Sequence, residues 1–208
     1  MRGPIAAAPA TVFKVAAIAA AASAFGIAMA ARTVTAQTSQ ISTTQIDWHA
    51  LTLNDIHGRP LAADRFAGRV VLLVNTASRC AFTPQYEGLE ALNDMYGARG
   101  LTVLGVPSND FAGQEPGSNS EIAGFCSARY DVSFPMLEKA VVTGRGAHPL
   151  YAWARRSAGR QAVPAWNFHK IVIGRDGRVI ATFPSYMSPR SPQVMDAVER
   201  ALSAPGPR

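Results

Sequence analysis

The chain has 208 residues, 48% of them hydrophobic and 16% charged, which allows a leader plus one domain with a sizeable core and excludes an extended disordered chain. Its formal charge of +6 comes from 20 basic and 14 acidic side chains, and three of the basic ones, Arg2, Lys14 and Arg32, precede Gln37 with no acid among them. Without those three, 17 basic side chains stand against 14 acidic ones, scattered with no basic run and no interleaved aromatics, which excludes a nucleic-acid-binding surface.

Residues 1–36 read as a secretory signal. Arg2 and Lys14 supply the positive charge, residues 15–31 are an almost unbroken run of small apolar side chains, and Ala28-Met29-Ala30 and Val34-Thr35-Ala36 offer small-residue cleavage sites. That run is shorter than the roughly 20 residues a spanning helix needs. The expectation is an exported protein, periplasmic or secreted, with a membrane anchor as the alternative if the leader is retained. Export implies an oxidising compartment. Residues 37–45 form a polar linker, 46–202 the domain and 203–208 a Pro/Gly tail.

Along the domain, residues 48–53 alternate and end at the turn residues Asn54, Asp55 and Gly58, so a hairpin is expected. Residues 70–74 are a continuous apolar run, the mark of a strand buried on both faces. Tyr86, Leu89, Leu92 and Met95 recur at helical spacing, and Gly97 and Gly100 close that helix. A second apolar strand spans 101–106 and stops at Pro107. Ser118 and Glu121 stand three apart, as in a capping box, and open a helix carrying Ile122, Phe125 and Cys126. Residues 132–137 are weakly strand-like, and Pro149 marks the first turn of a helix through Arg156. Residues 171–173, the turn Asp176-Gly177 and residues 179–183 form a second hairpin. A last helix carries Val194, Ala197, Val198 and Leu202. This order predicts an α/β domain with a mixed central sheet flanked by helices, a thioredoxin-like fold with an N-terminal hairpin.

Cys80 lies just past the first buried strand, where ligand sites collect in open α/β sheets. A thiol near a helix N-terminus feels the positive end of the helix dipole, worth about 0.3–1 kcal/mol. Arg79 beside it is a second expected stabiliser of the thiolate, the reactive form of cysteine. With two cysteines in an exported chain, the plain alternative is one structural disulfide. A thioredoxin-type CxxC is excluded by Thr83, a CxxxC metal-chaperone spacing by Pro84, and the peroxiredoxin pattern by Ala77 and Leu73.

The segment Asn75-Thr76-Ala77-Ser78-Arg79-Cys80-Ala81-Phe82-Thr83, continued by Gln85-Tyr86-Glu87-Gly88-Leu89, resembles the peroxidatic segment of the glutathione peroxidase family, in its two-cysteine, thioredoxin-type, bacterial-like members. Residues 106–117, from Val106-Pro107-Ser108-Asn109 to Gln114-Glu115-Pro116-Gly117, resemble its second signature, and Trp166-Asn167-Phe168 with Lys170 its third. The resemblance implies a cysteine-dependent peroxidase without a cofactor, with a catalytic tetrad of Cys80, Gln114, Trp166 and Asn167. The chemistry is coherent on its own terms. A thiolate attacking an O–O bond needs donors for the developing alkoxide, and carboxamides and an indole N–H supply them without charge. Four positions depart from the family pattern. Ala81 and Ala112 stand where glycine is usual, Asp110 where glutamine is usual, and Ser108 where a cysteine is common. Ala81 would restrict the backbone if a positive φ were needed there, and an inward-pointing Asp110 would disfavour the Cys80 thiolate.

Cys126 alone reads as a small core hydrophobe. The resemblance implies more, a resolving cysteine that condenses with the Cys80 sulfenic acid. It is expected to reach Cys80 by local unwinding of a helix weakened by Gly124. The reductant implied is a thioredoxin-like protein, or glutathione if Cys126 is inert. The short stretch between His148 and Trp166 resembles monomeric members. His49, His57, His148 and His169 show no metal-ligand spacing, and His169 reads as strand surface. A non-catalytic thioredoxin-fold module with a Cys80–Cys126 disulfide is the rival from outside the enzymes.

Overall fold

The computed structural model describes residues 44–206, and Gly3 alone of the leader, so the expected signal segment lies outside the described residues. Among the described residues no helix is long and apolar enough to cross a membrane.

The chain enters through Thr44, whose carbonyl accepts from Trp153 Nε1 (3.1 Å) and Ser157 Oγ (3.0 Å). A single 3-10 turn at Trp48–Ala50 follows, where a strand was expected. The Asp47 carboxylate accepts from the His49 amide at 3.0 Å and winds the segment up, a local side-chain bond that competes with extended backbone. The expected hairpin is nevertheless present, built from β1 (Leu53–Asn54) and β2 (Pro60–Leu61). Its turn is tied by the Asp55 carboxylate, which accepts from the amides of His57 and Arg59, both at 2.9 Å.

The central sheet has four strands: β3 (Val70–Thr76), β4 (Leu101–Pro107), β5 (Lys170–Ile173) and β6 (Val179–Phe183). Their order is β4-β3-β5-β6, with β3 and β4 parallel and the β3–β5 and β5–β6 pairs antiparallel. That is the expected mixed, thioredoxin-like sheet. Because side chains alternate along a strand, β3 feeds two cores at once. Val70, Leu72 and Val74 pack with α1 (Gln85–Tyr96), α2 (Asn119–Tyr130) and α4 (Pro192–Ser203) through Leu89, Ile122 and Val198. Val71 and Leu73 pack with α3 (Pro149–Ala158) through Leu150 and Ala154, and with Trp48 and Phe66. Each fully buried Val or Leu contributes about 1.5–3 kcal/mol, so β3 is firmly held, and the turn after its C-terminal end carries Cys80.

Helix starts follow the expected chemistry. Ser118 and Glu121 form a reciprocal capping box at α2, and Pro149 occupies the first turn of α3. Two readings need correction. Met95 is 50% exposed, and Tyr96 takes the buried place on α1. A strict three-residue repeat slips about 60° around the helix at each step, so by its fourth member it has left the core face. Residues 132–137 make only isolated bridges, Asp55↔Leu137 and Gly105↔Met136, because Pro135 cannot donate to a ladder.

Candidate active site

Cys80 follows β3 in a tight turn that leads into α1, and it is 8% exposed. Its sulfur accepts the Phe82 amide at 3.3 Å, within the turn that precedes α1. Thr83 fixes the turn: its hydroxyl donates to the Ala77 carbonyl at 2.8 Å and accepts the Cys80 amide at 3.0 Å. Arg79 contributes through its backbone, the amide donating to the Gln114 carbonyl at 3.0 Å. Its side chain is exposed and lines a cleft of about 180 Å³ with Ser78, Glu115, Glu121 and Phe125. The structure records no ion pair or hydrogen bond from the Arg79 side chain to Cys80, so the recorded polar partner of the sulfur is the Phe82 amide.

Gln114 sits on the loop after β4. Ala112 (φ 52°) and Gly113 (φ 64°) are both left-handed, and they fold the loop back so that the Gln114 amide reaches the Phe111 carbonyl at 3.2 Å. Gln114 Oε1 accepts from Asn167 Nδ2 at 2.9 Å. Asn167 is fully buried and its Oδ1 has no partner. Trp166 is 38% exposed, with its ring tilted against Phe111 at 5.9 Å. The turn of Cys80, Gln114 and Asn167 are therefore joined by consecutive hydrogen bonds, and Trp166 adjoins Asn167 in the chain.

The departures from the family pattern resolve separately. Ala81 is not among the residues with positive φ, so a side chain there is unstrained. The Asp110 carboxylate accepts from the amides of Val142 (2.8 Å) and Thr143 (2.9 Å) and from the Thr143 hydroxyl (2.9 Å). Its charge is thus engaged by the 142–143 segment. Ala112 is the strained position, since a left-handed alanine costs about 1–2 kcal/mol. Its side chain is exposed, and Ala112→Gly is expected to stabilise the domain by about 0.5–1 kcal/mol after the entropy cost of glycine. A thermal melt checks this, and an unchanged or lower Tm would mean that the loop carries no strain.

Cys126, on α2, is 2% exposed, and both cysteines are free thiols. Burial pushes its thiol up to about 11, the Glu115 carboxylate adds to that, and the Tyr86 hydroxyl pulls the other way. Glu115 is itself buried, accepts the Ser78 hydroxyl at 3.1 Å, and burial raises its carboxyl above the usual range. On its outer side Cys126 lines a cleft of about 630 Å³ with Ala123, Ser127, Phe134 and Met136.

His169, expected on a strand surface, is buried at 6% exposure. It immediately precedes β5, whose side chains feed both cores, Val172 on one face and Ile171 and Ile173 on the other, so neither face there meets solvent. Burial, with the charge of Lys170 beside it, pushes its imidazole down to about 4. Asn75, Thr83 and Lys170 were not singled out from sequence as parts of the site. For Asn75 and Lys170 the available signal was a polar residue among apolar strand residues, which is informative because such residues are seldom buried without a task. Among the described residues no three His, Cys, Asp or Glu side chains gather as a metal site.

Cys80 thus stands in the turn after an interior strand of a thioredoxin-like sheet, and that turn is tied through the Gln114 backbone to the loop whose side chain meets Asn167. A family model described as glutathione peroxidase matches residues 48–155. A hydroperoxy fatty acid reductase of Synechocystis sp. is 44% identical over 149 residues, covering 68% of this chain and 88% of that protein. The thioredoxin/glutathione peroxidase BtuE of Escherichia coli is 39% identical over 173 residues, covering 73% and 94%. Among solved structures, the apo form of Trgpx superposes with a TM-score of 0.61 at 32% identity, covering 79% of this chain and all of that one. The chain belongs to the glutathione peroxidase family, and it is a thiol-dependent peroxidase acting on hydroperoxides.

Proposed function

We propose that Cys80 is the peroxidatic nucleophile and that Cys126 resolves its sulfenic acid. The Cys80 thiolate attacks the distal oxygen of the hydroperoxide and the O–O bond breaks. The RO⁻ leaving group takes up the proton that the thiol gave up and departs as an alcohol, or as water from hydrogen peroxide. Gln114, Trp166 and Asn167 donate to the developing alkoxide. The Cys126 thiol then condenses with the sulfenic acid, releasing water and forming the Cys80–Cys126 disulfide. A thioredoxin-like dithiol protein reduces that disulfide and is itself oxidised. The observation that carries this reading is the run of hydrogen bonds from the Cys80 turn through Gln114 to Asn167.

The apolar face made by Phe111 and half-exposed Trp166 supports organic hydroperoxides as substrates beside hydrogen peroxide, in keeping with the relative named a hydroperoxy fatty acid reductase. The apolar, Lys- and Arg-flanked leader supports export, so the donor would be an exported dithiol protein, and the short stretch before Trp166 supports a monomer.

One observation favours a second reading. A Cys126 buried this deeply, with its thiol pushed to about 11, suits an inert core residue in an enzyme that uses glutathione. Cys126→Ala separates the two. If Cys126 resolves, one equivalent of peroxide consumes both thiols of the wild type. The variant then shows the initial burst, stops at the sulfenic acid, and loses turnover with a dithiol protein. Full turnover of the variant with glutathione establishes the second reading, and turnover equal to wild type with a dithiol donor removes Cys126 from the mechanism.

A further inference from the structure

Lys170 begins the interior strand β5, is fully buried, and makes no ion pair among the described residues. Its Nζ donates to the Phe168 carbonyl at 2.6 Å. Burial pushes its ammonium down to about 7, so the fold keeps an amine where an apolar side chain would be more easily accommodated.

The bond it makes is to an unusual residue. Phe168 is bulky, fully buried and left-handed, with φ 66°, a conformation that persists only where its surroundings enforce it. Asn75, at the end of β3, grips the same turn from the other side. Its Nδ2 donates to the Trp166 carbonyl at 3.0 Å, its Oδ1 accepts the His169 amide at 3.1 Å, and its backbone carbonyl accepts the Phe168 amide at 2.6 Å. Four hydrogen bonds from two polar side chains and one carbonyl thus hold the peptide groups of Trp166, Phe168 and His169. Asn167 lies between the clamped carbonyls of Trp166 and Phe168, and its side chain is delivered to Gln114 at 2.9 Å.

We propose that Lys170 is a positioning residue, whose buried amine pins the left-handed Phe168 and thereby sets the direction in which Trp166 and Asn167 face the peroxide. The inference rests on the reading of Trp166 and Asn167 as alkoxide donors. It accounts for a buried lysine and a buried asparagine in largely apolar strands. A displacement of about 1 Å in a catalytic group can cost on the order of 100-fold in rate.

The test compares Lys170→Met, which keeps length and removes the donor, with Lys170→Gln, which keeps a donor. The readouts are the second-order rate of Cys80 oxidation by hydrogen peroxide and the Tm. Lys170→Met is expected to hold or raise Tm while slowing oxidation about 10–100-fold, and Lys170→Gln to recover part of that loss. Acrylamide quenching should also change, read mainly from Trp166 because Trp48 and Trp153 are buried. A Lys170→Met protein that reacts at the wild-type rate overturns the proposal. So does one that fails to fold, or a Lys170→Gln variant as slow as Lys170→Met, since the ammonium would then serve stability and not the aim of the turn. Asn167→Ala, assayed in parallel, keeps the two ideas apart. No loss in Asn167→Ala removes the alkoxide-donor reading, whereas loss there with none in Lys170→Met removes only the role of Lys170.

Discussion

Replacing Cys80 with serine is expected to abolish hydroperoxide reduction, by at least about 10⁴-fold, while the domain melts within a few degrees of wild type. A serine oxygen can accept the Phe82 amide that the sulfur now accepts at 3.3 Å, and the turn is fixed by Thr83 independently of residue 80 through its bond to Ala77. What the variant loses is the nucleophile. A hydroxyl is a weak nucleophile without an adjacent base, and the bonds recorded around residue 80 involve backbone groups and the Thr83 hydroxyl, with no side-chain base. Cys126 cannot take over, because burial pushes its thiol to about 11 and only a small fraction is thiolate at neutral pH. A coupled peroxidase assay and a thermal melt on the same preparation decide the matter. Substantial turnover in Cys80→Ser would refute the assignment.

The second large effect is expected at the carboxamide pair. Asn167→Ala or Gln114→Ala should slow the oxidation of Cys80 by roughly 10–1000-fold, by analogy with the loss of one donor from an oxyanion hole. Each amide orients the other through the 2.9 Å bond between them. The double variant should therefore lose much less than the two single losses combined, as in other pairs that act as a unit. Stopped-flow measurement of the burst at several peroxide concentrations gives all three rates. Unchanged rates across the set would leave the pair as scaffold, and strictly additive losses would mean that the two amides act on the peroxide independently.

Much of the candidate site is legible in the sequence. Cys80, Gln114, Trp166 and Asn167 belong to contiguous stretches with their own spacing, and the capping box at Ser118 and Glu121 is a local signal that needs no tertiary context. The parts that escaped notice are those made by contacts between distant residues. Asn75 meets the turn at Trp166–His169 across more than 90 residues of sequence, and nothing local marks it as a clamp. His169 is hidden from a sequence reading because strand alternation assigns faces but not how many of them a packing layer covers, and β5 is covered on both. Met95 was misplaced by extrapolating a three-residue repeat beyond the point where it stays on one helix face, and the turn at Trp48–Ala50 by an alternating pattern that the Asp47 side chain overrides.

The depth of Cys126 bears on timing. α2 is fastened at its start by the Ser118–Glu121 box, and the Cys126 carbonyl accepts the amides of Asp131 and Val132 beyond the helix end. If Cys126 reaches Cys80 by unwinding of α2, this anchorage opens after the peroxide has already been consumed. Oxidation would then be prompt and disulfide closure delayed, and the delay would be set by how often one helix lets go. A brief pulse of peroxide would leave a population of sulfenic acid that outlives the pulse. During a sustained flood the same latency would give a second peroxide molecule time to carry Cys80 on to the sulfinic acid, which a dithiol does not reverse. Loosening α2 by Ser118→Ala would shorten that interval, trading the stability of one helix for resistance to overoxidation.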